Sequence, residues 1–381
     1  MNVLINAITI TEGGGVVVLS RLLEFMHQAN PTVTWYIAAG PSILSCLPVS
    51  NKIIGISYSW ARKSPLHLLY WYEIELPRLI SRVEANLCFS HTNFLSRHHL
   101  SCASLLLFHN AGFFSDLFTT LQLKCYTSFK DAFIWKQKIK WAFSSLKRAT
   151  AITVQTKVLA DKIVERLNVN PEKIFIIPHG LGLLNNVTTE TRFFPSNSCW
   201  RIGYITKFGV QKDFDTAIKA ISQLKKKKLP IKFVLTLNQD IREYPPILEQ
   251  IRRYEIEDMV ENLGDITDPE EIKNIYESLH LFIFPSIIES FGFTLVEAMA
   301  SGLPVIIADT DSNREVADFA GHFFRLGDAT DLANSIIHLM NEKELYIRSS
   351  KNSLDRARQF CWQKTAQSLL RVIQQMATRS Y

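Results

Sequence analysis

The chain has 381 residues, of which 47% are hydrophobic and 20% charged. At roughly 100–200 residues per domain this is material for two packed domains, and the balance excludes a disordered chain. Its 15 glycines and 14 prolines exclude collagen-like and Pro-rich classes.

No apolar run reaches the length of about 18 residues that a membrane-spanning helix needs. The N-terminus, Met1 to Ala7, lacks the basic and long apolar regions of a secretory leader. Six cysteines stand singly with no CxxC pair, so neither a zinc ribbon nor a thioredoxin-like site is expected. The expectation is a cytoplasmic protein with reduced thiols. The net charge of +6 is uneven. Residues 1–200 carry 19 Lys and Arg against 11 Asp and Glu, whereas 201–381 carry 23 against 25. A basic N-terminal half suits an anionic surface or substrate, and equally ordinary solubility.

In chain order, Met1–Thr11 reads as a buried strand, followed by Glu12-Gly13-Gly14-Gly15 and a helical pattern over Val16–Gln28. Strands are expected at Thr34–Ala39, Lys52–Ser57, Asn86–Phe89 and Ser104–Phe108. Ala132–Arg148 repeats its apolar residues at helix spacing. A strand at Ala151–Thr156, a helix at Lys157–Leu167 and a strand at Lys173–Pro178 follow.

Leu183–Ser198 is polar and irregular and reads as a linker, after which the pattern restarts. Strands are expected at Trp200–Thr206, Ile231–Leu237, Met259–Leu263, Leu281–Pro285 and Pro304–Ala308. Helices are expected at Asp213–Lys227, Pro246–Tyr254, Asp268–Ser278, Phe293–Ala300 and Thr330–Met340, with Asp268 as a capping residue. The alternation argues for two α/β domains, each a mostly parallel sheet covered on both faces. The expected bounds are 1–182, a linker at 183–199, 200–365, and a C-terminal helix at 366–381 that packs back toward the first domain.

Polar groups gather at strand ends, where ligands of such sheets bind. In Leu281–Asp309 a strand leads into Glu289, Ser290, Phe291 and Gly292, then a helix containing Phe293, Thr294 and Glu297. A helix N-terminus suits phosphate, and carboxylates on either side suit sugar and ribose hydroxyls. Lys207 and Lys212 lie beyond another strand, where two cations can hold a diphosphate without a metal. Gly14 and Gly15 form a strand–helix turn, but Val18 stands where the dinucleotide fingerprint has its third glycine. His109 ends the Ser104–Phe108 strand and reads equally as a satisfied core histidine.

Two D-x-D patterns, Asp213–Asp215 and Asp309–Asp311, are weak metal candidates beside a duplicated α/β pattern. Residues 124–148 hold seven basic groups and one acid with interleaved aromatics. They read either as a core-packed helix with a solvated basic face or as a contact with an anionic membrane. No nucleic-acid reading module is present.

The segment Leu281–Asp309, with Glu289 and Glu297 in an E-x7-E arrangement, resembles the retaining glycosyltransferases of family 4, which have the GT-B fold. Phe175–Leu181, Asn262–Asp265, Ile272–Phe284 and Phe360–Trp362 resemble further segments of that family. The likeness is specific over about 200–365. It is looser before that, resting on the glycine loop, His109 and Ile152–Gln155.

The resemblance implies two Rossmann-like doubly wound domains facing each other across a cleft. It implies a nucleotide diphosphate sugar as donor, no cofactor or metal, and a glycan or lipid-linked acceptor of cell-surface polysaccharide or lipopolysaccharide synthesis. Glu289 would contact the donor sugar and Glu297 the ribose. Ser290 to Thr294 would bind sugar and phosphate, and Lys207 and Lys212 would neutralise the leaving diphosphate. Gly14 and Gly15 would lie near phosphate and acceptor, and His109 near the transferred sugar. The chain departs from the family in having Lys207 for an arginine and Ser290 for a glycine. A catalytically silent nucleotide-sugar-binding subunit and a nucleotide-sugar epimerase of the same fold are the alternatives.

Overall fold

The computed structural model describes residues 1–125, 128–196 and 199–377. Parts of the expected linker 183–199, the basic stretch 124–148 and the C-terminal helix 366–381 therefore lie outside the described residues. The chain divides into two compact units. The first comprises Met1–Phe114, Leu123–Gly180 and the chain from Cys361, and the second Ser115–Gln122 and Leu181–Phe360.

The first unit is built on seven strands: β1 Asn2–Asn6, β2 Thr34–Ala39, β3 Ile53–Ser57, β4 Leu87–Ser90, β5 Ala103–Leu107, β6 Ala151–Val154 and β7 Ile174–Ile176. All pair in parallel, in the order β3-β2-β1-β4-β5-β6-β7. β4, β5 and β6 are buried along their whole length. That explains why they read as continuous apolar runs rather than alternating ones. The last described helix, Trp362–Ala377, belongs to this unit and packs on the helix Gly14–Ala29. Thr365 Oγ1 donates to the Pro178 carbonyl at 2.7 Å, and Trp362 stacks on His179 with centroids 5.6 Å apart.

The second unit has six parallel strands: β8 Trp200–Tyr204, β9 Ile231–Leu235, β10 Val260–Asn262, β11 Leu281–Phe284, β12 Val305–Ala308 and β13 Gly321–Phe324. Their order is β10-β9-β8-β11-β12-β13. Phe233, Phe282, Phe284, Leu295 and Tyr346 are fully buried in its core. Both units are therefore doubly wound parallel sheets, as expected.

Most expected elements fall within two residues of the observed ones, and the exceptions have physical reasons. The strand expected over Met1–Thr11 ends at Asn6. The Asn6 side chain there turns inward to accept from Trp71 Nε1 at 3.2 Å, and Ala7–Ile10 continue as a buried turn. Asp268 stands at the start of Pro269–Ser278, but its side chain caps nothing. The helical run Pro65–Arg82 was not foreseen. Pro77 would break an ordinary helix, and the chain accommodates it with a π turn over Trp71–Glu75.

Residues 181–196 carry no helix or strand. They are pinned to the second unit by Arg192. Its guanidinium donates to the carbonyls of Ser301, Glu277 and Tyr276 at 2.8, 2.7 and 2.9 Å. Arg192→Ala is expected to lower the stability of the second unit by roughly 2–4 kcal/mol in denaturant unfolding, because three carbonyls lose one shared donor. Arg192→Lys recovers only part of this, since an ammonium cannot reproduce the planar fork.

Candidate active site

In each sheet the strand order reverses once, between β1 and β4 in the first unit and between β8 and β11 in the second. At such a reversal the two following connections leave on opposite faces and open a crevice at the strand carboxyl ends. All of the expected site residues except His109 follow three of these strands, β1, β8 and β11.

In the second unit the loop after β8 carries Lys207 and Lys212, and the loop after β11 carries Glu289 to Gly292. The two loops are joined through backbone, the Ile287 N–H donating to the Gln211 carbonyl at 2.9 Å. Lys212 Nζ forms an ion pair with Glu289 Oε1, with side chains only 13% and 15% exposed. The same ammonium lies 5.2 Å from the Phe284 ring centroid. A half-desolvated pair of this kind interacts more strongly than a surface salt bridge. Lys207 Nζ lies 3.3 Å from Asp265.

The Asn262–Asp265 turn places that carboxylate. The Asn262 amide exchanges hydrogen bonds with the backbone of Leu237 at 2.8 and 3.0 Å. Gly264 takes φ +84°, which an L side chain resists.

Gly292 also has a positive φ, +85°, and stands at the N-terminus of Phe293–Ala300, where, having no side chain, it leaves the helix start uncapped. Gly292 is therefore required by the turn as well as by any close approach of a ligand. Phe291 is buried between Phe293 and Phe360, with centroids 5.4 and 5.3 Å away. This packing fixes the loop that presents Ser290 and Gly292. Thr294 contributes its carbonyl to the Tyr276 hydroxyl at 3.3 Å.

Glu297 is buried. Its Oε1 accepts the Leu183 N–H at 2.6 Å and its Oε2 accepts the Tyr276 hydroxyl at 3.0 Å. Burial pushes its carboxyl up to about 7, against the pull of those two donors. A Cβ on Gly182 would collide with Glu297 Oε1. Glu289 and Glu297 thus flank the same turn but have separate partners, a lysine for one and a tyrosine and an amide for the other.

Sequence reasoning missed the residues that hold these loops. Asn313 donates from Nδ2 to the Ser286 and Ala308 carbonyls at 3.1 and 2.9 Å, tying the ends of β11 and β12 together. Only its burial distinguishes it, and nothing in the sequence signals that. Tyr204 ends β8 fully buried beside Ser286. Burial holds its phenol well above the usual value, with the Glu289 and Asp213 charges adding to the effect.

The two D-x-D patterns have structural roles. Asp213 caps the helix Phe214–Lys226 by accepting from the Thr216 N–H at 3.1 Å, and Asp215 pairs with Lys219. Asp309 pairs with Arg314, and Asp311 opens a helix. Among the described residues no group of three or more His, Cys, Asp or Glu is placed to hold a metal.

In the first unit, Gly13 at φ +65° starts the helix that begins with Gly14 and Gly15 after β1. A Cβ on Gly15 would lie 3.3 Å from Ile10. His109 follows β5. Its N–H donates to Asn93 Oδ1 at 2.9 Å, and Asn93 Nδ2 lies 3.3 Å from its Nε2. That amide nitrogen can only donate, so Nε2 accepts and Nδ1 carries the proton. His91 and His179 lie close by, buried, at the ends of β4 and β7. Burial lowers His109 to about 4 and His179 to about 3, and holds His91 well below its usual range. His109 is therefore a neutral hydrogen-bonding group at neutral pH, not a cation.

The comparisons agree with this fold. The model described as Glycosyltransferase Family 4 matches residues 12–183, and that described as Glycosyl transferases group 1 matches 195–356. Mannosylfructose-phosphate synthase of Agrobacterium fabrum is 25% identical over 269 residues, which are 65% of this chain and 58% of that protein. The O-antigen chain mannosyltransferase RfbU of Salmonella typhimurium is 26% identical over 49% of this chain and 50% of its own length. The chain thus spans between half and three-fifths of these relatives. The structure of Anabaena HepE in complex with UDP-glucose superposes with a TM-score of 0.71 at 17% identity, over 98% of this chain and 100% of that one. The chain has the GT-B fold and is related to the group 1 and family 4 glycosyltransferases.

The buried Glu297 makes stability depend on pH with a definite sign. Its folded value, about 7, exceeds the ordinary 4.5. The folded state therefore holds the extra proton in that window, and stability is lost as pH rises through it. In calorimetry the second unit is expected to lose up to roughly 3 kcal/mol between pH 4.5 and 7 relative to Glu297→Gln. The amide keeps the Leu183 contact and donates to the Tyr276 oxygen. Parallel pH profiles for the two proteins would contradict the assignment.

Proposed function

We propose that the chain is a retaining, metal-independent glycosyltransferase that moves a sugar from a nucleotide diphosphate sugar to a glycan or lipid-linked acceptor. The Lys212–Glu289 pair, set at the strand reversal and followed directly by an uncapped helix N-terminus, is the observation that carries this reading. Lys212 and Lys207 supply positive charge for the diphosphate without a divalent ion, and the helix start adds its dipole. Glu289 orients the donor sugar, and the loop from Ser290 to Thr294 lines sugar and phosphate. Glu297 takes the ribose hydroxyls. In the first unit Gly14 and Gly15 serve phosphate and acceptor, and neutral His109 lies near the transferred sugar.

In the reaction the bond from the anomeric carbon to the phosphate oxygen breaks first, and its electron pair stays on the diphosphate. The acceptor oxygen bonds to the anomeric carbon on the same face. Its proton passes to the departing phosphate oxygen, so configuration is retained without a covalent enzyme intermediate. Lys207 and Lys212 stabilise the charge as it grows.

The relatives' association with O-antigen supports a surface-glycan acceptor. The helix Phe129–Arg148 supports a cytoplasmic membrane contact through the basic stretch. It exposes Phe129, Phe133, Lys130, Lys136, Lys138 and Lys140, while Trp135 and Phe143 pack inward on Phe113 and Phe114.

Thermal-shift binding against UDP, GDP, dTDP, CMP and their common sugar conjugates tests the donor site. A selective stabilisation is expected, lost in both Glu297→Ala and Lys212→Ala. Incubation with the selected donor is expected to release nucleoside diphosphate. Proton NMR of the product then reports the same anomeric configuration as the donor. Nucleotide binding without turnover favours the silent subunit, and an inverted product contradicts retention.

A further inference from the structure

The second unit contains a cavity of about 610 Å³ that the donor reading does not use. None of Lys207, Lys212 and the residues from Glu289 to Glu297 lines it. One wall is the irregular segment 183–193 and another is the helix Pro269–Ser278. Pro269, Lys273 and Glu277 all line it, and they recur every four positions, so the cavity follows one face of that helix. Ten helical residues at 1.5 Å each give that face a length of about 15 Å. His280, which also lines it, directly precedes β11, and its Nδ1 accepts the Arg201 N–H near the start of β8 at 2.9 Å. The cavity therefore sits at the amino ends of these strands, whereas Lys212 and Glu289 follow their carboxyl ends. Its volume is within the range of about 300–1,000 Å³ usual for small-molecule sites.

The irregular wall is fixed. The Thr188 N–H donates to the Ala300 carbonyl at 2.9 Å, and the Arg192 N–H donates to Ser350 Oγ at 2.8 Å. Phe194 packs edge-on against both Trp200 and Tyr346, with centroids 5.6 Å away in each case. Phe193, held between these anchors, is 88% exposed and lines the cavity. Its ring is thus positioned by its neighbours and not by its own burial.

The polar lining decides what fits. Asn185, Asn186, Thr188 and Thr191 contribute amides and hydroxyls, which both donate and accept. The positive charges of the lining are committed. Arg192 serves three carbonyls, and Lys273 lies 3.8 Å from Glu270 and 4.0 Å from Glu277. Glu190 adds a further acceptor. A phosphate or carboxylate would meet acids here without a cation to spare for it. A neutral polyhydroxyl ligand fits, because its hydroxyls pair with amides and carboxylates while its C–H face covers an aromatic ring.

We propose that this cavity binds a short neutral oligosaccharide. One sugar stacks on Phe193, and the hydroxyls of the chain bond to Asn186, Thr191 and Glu190. The site is distinct from the donor site and does not rest on the donor reading.

The test is saturation-transfer difference NMR of the full chain with maltotriose, cellotriose and triacetylchitotriose, followed by calorimetric titration of the sugar that gives transfer. At least one of the three is expected to bind. Phe193→Ala is expected to weaken that binding about tenfold, the worth of one good aromatic contact, with unchanged circular dichroism and Tm. Phe193→Tyr keeps the ring and is expected to keep the affinity. No transfer to any of the three sugars overturns the proposal, and so does an affinity unchanged in Phe193→Ala. Binding that survives in Phe193→Ala but is lost in Lys212→Ala also overturns it, since the sugar then occupies the donor site. Nucleotide binding is measured separately, so failure here leaves the donor reading untouched.

Discussion

The candidate site depends on one adjacency, that of β8 and β11. Lys212 and Glu289 are 77 residues apart in the chain. They meet because the strand order reverses between the strands that precede them, which leaves both loops at the same end of the sheet. The rest of the local structure keeps that meeting in place. The Ile287–Gln211 backbone bond holds the two loops together, Asn313 ties in the end of β12, and Gly292 turns the chain into the next helix. An unmatched lysine or glutamate this far from solvent would be costly, so the ligand-free protein keeps each as the other's partner.

Under the proposed function, that pairing implies exchange on ligand binding. A diphosphate that takes Lys212 must take it from Glu289, and the released carboxylate then needs new donors. Sugar hydroxyls are such donors and a bare nucleoside diphosphate has none at that position. On that reading the pair would make recognition of the phosphate conditional on recognition of the sugar. Glu297 follows another logic. It is buried, bonded to Tyr276 and the Leu183 amide, and carries a raised proton affinity. It joins the irregular segment after Gly182 to the helix Phe293–Ala300. The histidines of the first unit are shifted in the opposite direction, because burial disfavours their cationic form.

The two sheets were legible in the sequence because their strands are short apolar runs at regular intervals, bounded by glycine or polar turns. β2 and the helices Lys157–Leu167 and Phe293–Ala300 agree with expectation to the residue. Glu289, Glu297, Lys207 and Lys212 were legible as candidates because strand–loop–helix order places them at strand ends. Their partners were not. Asp265, Tyr276, Leu183 and Asn313 come from other elements, and single-sequence periodicity carries no information on which strands lie side by side. The run Pro65–Arg82 was missed for a local reason, since Pro77 suggests a break that the π turn absorbs. The apolar run after β1 misled in the other direction, because hydrophobicity reports burial and not strand geometry.

The most direct test of the exchange is isothermal titration calorimetry of Glu289→Gln. It uses the nucleoside diphosphate that stabilises the wild type most, and its sugar conjugate. Removal of the carboxylate frees Lys212, so the bare diphosphate is predicted to bind the variant several-fold more tightly than the wild type. The sugar conjugate is predicted to lose the advantage it has over the diphosphate. Unchanged affinities for both ligands, or a weaker diphosphate with the sugar's advantage intact, would contradict the account.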